Sequence, residues 1–306
     1  MTDEPRPILL RIGVTLLNLL LPGLGLLRTS SLRAALPWLL ASPILALAVL
    51  LILYVAPTPT FAAFVILIAL TMLAGAVILI APVVLTWRSS RLRSTPRPWW
   101  SRWYALVAVV LLAWVQEQAS IGLFFRLYRP FYAPAESMAP TIGRNEKFIA
   151  DMRGGREPSR GEIVVFEGDG FLRISRVVAL AGDRIAMGRG VPILNGQPVD
   201  QRPAGTVNVL GYDGNRAVQR REERLPGHAV PYFVLDYGPT EFDEMEEKQV
   251  PAGHIFVLGD NRDRSADSRV PASLEGAEMV PLGAIKGSPL YIHWSGDWSR
   301  IGIALR

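Results

Sequence analysis

The 306-residue chain carries 32 Lys and Arg against 27 Asp and Glu; half of it is hydrophobic and it contains no cysteine. The missing cysteine excludes a disulfide framework, a thiol nucleophile and a cysteine-ligated zinc site. Charge is unevenly spread: residues 1–130 hold eleven arginines against Asp3, Glu4 and Glu117, a net +8, which leaves −3 for residues 131–306. The basicity therefore belongs to membrane flanks, and a nucleic-acid partner is not expected.

The first apolar segment, Pro7 to Leu27, is interrupted by Arg11 and by Pro22-Gly-Leu-Gly25. It predicts either a re-entrant dip or a fourth helix. No small-residue cleavage site follows it, which argues against a removable leader. Leu32 to Val55 and Phe61 to Trp87 are long and uncharged after Arg33, and each matches the roughly 20 residues that cross a hydrocarbon core. The short turn Ala56 to Thr60 makes them a helical hairpin.

The linker that follows carries Arg88, Arg91, Arg93, Arg97 and Arg102. A short loop this rich in arginine stays in the cytoplasm. A third span is expected over Trp103 to Phe125, its last turns bearing Gln116-Glu117-Gln118 and facing protein, water or headgroups. Trp87, Trp99, Trp100 and Trp103 sit at the inferred boundary, where amphipathic rings anchor. Leaving the cytoplasm through the third span puts residues 131–306 on the outer face. A re-entrant first segment puts the N-terminus in the cytoplasm; a spanning one puts it outside.

Residues 131–306 read as β structure. Glu162–Phe166, Leu172–Val178, Tyr232–Leu235, His254–Leu258 and Pro289–His293 are short, β-branched or aromatic, and bounded by turn residues. Asn195-Gly196 signals a hairpin. The charged runs Arg220–Glu223 and Glu241–Glu247 are expected to be solvated faces. His228, His254 and His293 are too scattered for a metal centre, and neither metal nor cofactor is expected.

Four patterns then occur in order. Phe131-Tyr-Ala-Pro134 leads into Ser137-Met-Ala-Pro-Thr-Ile142 directly after the last span, and Arg160-Gly-Glu-Ile-Val-Val-Phe166 follows. Arg176-Val-Val-Ala-Leu-Ala-Gly-Asp183 comes next, then Gly259-Asp-Asn-Arg-Asp-Arg-Ser-Ala-Asp-Ser-Arg269. Alone, the last would read as an Asx-rich turn with surface charges. Together, over roughly residues 100–306, the four resemble the type I signal peptidases, membrane-bound serine peptidases. The fold this implies is an α-helical transmembrane N-terminal region (1–130) followed by a mainly-β extracytoplasmic domain of signal-peptidase type (131–306).

The resemblance also implies roles. Ser137 would attack the scissile carbonyl, with Met138 in the oxyanion and binding region, and Ser265 would orient the general base. Asp267 and Arg269 would form a structural pair, while Gly259, Asp260 and Asn261 would build a turn that relies on glycine's backbone freedom. Ala133, Ile142 and Ile174 occupy either apolar substrate pockets or domain core. The partners implied are the lipid bilayer of a bacterial inner membrane and exported precursors with Ala-x-Ala signal peptides, bound as an added strand.

Two positions depart from the family pattern. The slot that normally holds the lysine base reads Ser175, and a serine hydroxyl needs something to take its proton. Arg173, on the same strand face, stays protonated. Ala135 replaces a serine that contributes to the oxyanion hole, and losing one such donor costs about a hundredfold or more. Rescue could come from Lys147, Lys248, Lys286 or a shifted Asp267. The alternative is a catalytically impaired relative that binds peptides or regulates.

Overall fold

The computed structural model describes residues 7–29, 32–56, 59–90, 99–154, 157–168, 170–211 and 214–305. Arg91, Arg93 and Arg97 of the linker, and Pro57 and Thr58 of the first hairpin turn, lie outside them. The chain divides into two compact units, Met1–Leu127 and Tyr128–Arg306.

The first unit is helical. α1 (Ile8–Leu16) and α2 (Leu24–Thr29) are short and joined by a 3-10 turn with Gly23 at φ +89°. α3 (Leu32–Val55), α4 (Phe61–Ser89) and α5 (Trp103–Leu127) are long and apolar enough to cross a membrane. Thr60 caps α4 by accepting the Ala63 N–H through its side chain, as an N-cap threonine does. Pro37, Pro43 and Pro82 lie inside the spans, a placement spanning helices tolerate. Leu47, Met72 and Leu112 are each about two-thirds exposed, as residues facing lipid would be.

The second unit is built of strands: β1 (Tyr128–Tyr132), β2 (Lys147–Asp151), β3 (Ile163–Gly168), β4 (Phe171–Ala179), β5 (Arg184–Gly188), β6 (Val191–Leu194) and β7 (Gln197–Pro198) come first. β8 (Asp200–Gly211), β9 (Gly214–Arg224), β10 (Tyr232–Asp236), β11 (Met245–Gln249), β12 (His254–Leu258), β13 (Val280–Pro281) and β14 (Ile285–Trp294) complete it. The main sheet has the order β1-β2-β14-β3-β4-β12-β13. β3 and β4 lie inside it, which explains the unbroken buried runs Ile163–Phe166 and Ser175–Ala179. Asn195 and Gly196, at φ +53° and +80°, form the turn between β6 and β7, the left-handed pair a two-residue hairpin needs.

Residues 200–252 form a three-stranded sheet, β10-β9-β8, and contribute β11 to the sheet β11-β5-β6-β7. Here one expectation fails. In the run Arg220–Glu223, Glu223 is fully buried, because Arg262, Tyr232 and Gln201 all donate to its carboxylate. A carboxylate can be buried when paired and hydrogen-bonded in this way. The Glu241–Glu247 run is mostly exposed, as expected.

Candidate active site

Ser137 sits in a loop between β1 and β2 whose shape is fixed locally and from a distance. Ala133 and Glu146 pair across its base (Ala133 N–H to Glu146 O, 2.9 Å). The Ala139 N–H reaches Glu136 O at 3.0 Å and the Ile142 N–H reaches Met138 O at 2.8 Å, winding the segment into consecutive turns. Arg300 then donates to Pro140 O (3.1 Å), Thr141 O (3.0 Å) and both Glu146 oxygens (2.5 and 3.0 Å). Ser295 and the Gly143 N–H also donate to Glu146, at 2.8 and 2.7 Å. Burial opposes the Glu146 charge, yet these donors outweigh it and hold the carboxyl below its usual range.

The serine's other neighbour is the segment 259–269. Asn261 donates its N–H to Ser137 O at 3.0 Å and its side-chain amide to Glu136 O at 3.1 Å. A Cβ on Gly259 would stand 2.2 Å from the Ser265 hydroxyl oxygen and 2.6 Å from Ser137 O. Gly259 is thus the point where the Ser137 backbone and the Ser265 side chain meet. Its φ is not positive, so close approach, and not left-handed backbone freedom, is what excludes a side chain there. The β4–β12 ladder ends at Leu258 opposite Arg176, the residue after Ser175. Gly259 therefore joins the Ser137 carbonyl to the Ser265 side chain just past the end of that ladder.

Paired charges hold the segment rigid. Asp267 grips Arg269 at 2.9 Å through both oxygens and takes the Gly259 N–H at 3.0 Å. Asp260 takes two donors from Arg176, at 2.8 and 2.6 Å, plus the Thr141 hydroxyl. Arg262 links Gly259 O to Glu223 at 3.2 and 2.6 Å. Removing one member of such a buried pair strands the other at roughly 3–5 kcal/mol.

Ser175 is buried and donates its hydroxyl to Ile174 O at 2.8 Å. Ser137 is partly exposed, and among the described residues its hydroxyl forms no hydrogen bond. Lys147 lies over the Trp294 ring, Lys286 pairs with Glu167, and Lys248 sits in β11 against Ile185. No lysine among the described residues is bonded to Ser137. Asp267 is committed to Arg269 and Gly259 with no exposed surface, so it is not free to move to the serine. His228 packs on Gly161 and Tyr232; burial, then the Arg176 charge, push its pKa down. It lies on the Arg176 side of β4, opposite Ser175 by strand alternation.

Ala133, Met138 and Ile142 are buried together with Phe148 and Ile292, and Ile174 packs against that cluster partly exposed. Ala135 is exposed. Arg173 donates to Ala266 O and Glu275 O, at 3.2 and 2.6 Å, strapping the segment beside Ser265. The motifs did not single out Arg300, Glu146 or Glu223. Nothing in the neighbourhood of Arg300 points to a loop 160 residues earlier.

A family model described as "Signal peptidase, peptidase S26" matches residues 100–294. Signal peptidase I of Rickettsia prowazekii (strain Madrid E) is 32% identical over 184 residues, covering 49% of this chain and 68% of its own. That of Rickettsia typhi is 32% identical over 227 residues, 61% of this chain and 83% of its own. Signal peptidase I S of Bacillus subtilis (strain 168) is 30% identical over 145 residues, 47% of this chain and 67% of its own. The matched region contains the serine loop, β3, β4 and the 259–269 segment, and the chain accordingly belongs to the signal peptidase family, peptidase S26.

Proposed function

We propose that this chain is a membrane-anchored serine endopeptidase that removes N-terminal signal peptides from exported precursors, with Ser137 as nucleophile. The meeting of the Ser137 backbone and the Ser265 side chain at Gly259 carries this reading. The bound precursor lies extended beside Phe171–Ile174, a stretch of β4 that β12 does not pair with, joined to it through its main chain, with small Ala-x-Ala side chains before the cut. Ile174 offers apolar contact there; Ala133 and Ile142 act through the core beneath. Ser137 attacks the carbonyl and its own N–H, which donates to no backbone carbonyl among the described residues, steadies the oxyanion. Arginine bias assigns the 88–102 linker to the cytoplasm of a bacterial inner membrane and residues 131–306 to the outer face.

Ser175 fills the base slot without a base. Its hydroxyl proton is given to Ile174 O, so it takes the Ser137 proton only by relaying it through water. Turnover is slow for that reason. This arrangement also favours a second reading, in which the chain binds signal peptides without cutting them. Ser175→Lys separates the two. A slow wild-type peptidase gains about a hundredfold in cleavage, the lower range of a positioned base's contribution. No wild-type cleavage together with cleavage by Ser175→Lys favours the second reading; no cleavage by either rejects the first.

A further inference from the structure

The segment before α3 is held by polar contacts that share one level of the helical unit. Arg11 lies 4.2 Å over the Trp87 ring and donates to Trp87 O and the Ser90 hydroxyl, at 3.3 and 3.4 Å. Asn18 is fully buried, donates to the Thr86 hydroxyl at 2.9 Å, and accepts the Gly23 and Gly25 N–H groups at 3.0 and 3.2 Å. Thr29 meets the Ser89 hydroxyl at 3.1 Å, and Arg28 reaches Ser101 O at 3.1 Å. The beginning and end of the segment are thus pinned to the last turn of α4 and the approach to α5.

Its apolar packing is equally one-sided. Leu21, Leu24, Leu26 and Leu27 are buried in one cluster with Ala35 of α3, and Leu17, Leu39 of α3 and Leu106, Val109, Val110 and Ala113 of α5 pack against that cluster. α1 has nine residues and α2 six, which at about 1.5 Å per residue is too short to cross a core roughly 30 Å thick. Gly23 makes the reversal at positive φ, and a Cβ on Gly25 would strike Asn18, Thr86 and Val14. Ile8, Leu9, Leu19 and Leu20 remain more than 60% exposed.

We propose that residues 7–29 form a re-entrant hairpin that embeds in one leaflet, its exposed leucines against acyl chains. Both its ends emerge on the face that carries the arginine linker. Arg6, Arg11, Arg28 and Arg33 on the hairpin and its flanks, with the five linker arginines, meet only Asp3 and Glu4 in that part of the sequence. This excess suits an anionic lipid surface. Asn18 caps the reversal from within by accepting the Gly23 and Gly25 N–H groups, because reversed backbone inside a bilayer must have its N–H groups satisfied by protein.

The absence of cysteine makes the test direct. Full-length chains with a single cysteine at Asp3→Cys, Ser31→Cys, Ser94→Cys or Thr60→Cys are inserted in sealed vesicles and labelled with a membrane-impermeant maleimide. Positions 3, 31 and 94 should label from one face and position 60 from the other. Labelling of position 3 from the face of position 60 overturns the hairpin. Oxidation of the double variant Thr29→Cys/Ser89→Cys should remove both thiols from labelling; two free thiols in the inserted protein also overturn it.

Discussion

At the scale of single residues the site depends on what is absent. Gly259 carries no side chain, and Gly259→Ala would push a methyl group into the Ser137 carbonyl and the Ser265 side chain. The carbonyl cannot swing aside as a flexible side chain would. The substitution should cost about 1–3 kcal/mol, as overpacking does, and remove activity with it; thermal unfolding and cleavage measured on one preparation check both. The 259–269 motif was legible from sequence because its residues are contiguous. The reason for Gly259 was not, since the contact that excludes a side chain comes partly from residue 137. Likewise Glu223 read as part of a solvated run, and only the folded chain supplies Arg262, Tyr232 and Gln201 to bury it.

At the scale of elements, the serine loop is held from both ends of its domain. Asp260→Ala would leave Arg176 buried with its main partner gone, and a loss of about 3–5 kcal/mol is expected, measurable by denaturant unfolding. Glu146 gives a pH signature. Its carboxyl, depressed in the fold, contributes stability that is present above its unfolded value of about 4.3 and lost as pH falls through the folded one. Unfolding midpoints should therefore fall steeply below about pH 4, and Glu146→Gln should flatten that part of the curve while lowering stability at neutral pH. An unchanged acid slope in Glu146→Gln would place the titration elsewhere. Strands such as β12 were legible as β-branched runs, and the three long helices by length. The Arg300 strap was not, because nothing near residue 300 marks residues 140, 141 and 146 as its partners.

For the whole molecule, composition had already separated a basic helical region from an acidic β-rich one, since spanning length and charge bias are local properties of sequence. Residues 7–29 stayed ambiguous for a physical reason: their pinning residues, Thr86 to Ser90 and Ser101, lie beyond the next helix. Proteolysis of the chain in sealed inside-out vesicles should cut at the 88–102 arginines and spare residues 131–306, the orientation that brings Ser137 to exported precursors. The most direct measurement uses purified full-length protein in detergent and a precursor with an Ala-x-Ala site, with the new N-terminus of the product read by mass spectrometry. A slow cut after the second alanine by the wild type and none by Ser137→Ala is expected; the same product in equal amount from Ser137→Ala would rule out Ser137 as the nucleophile.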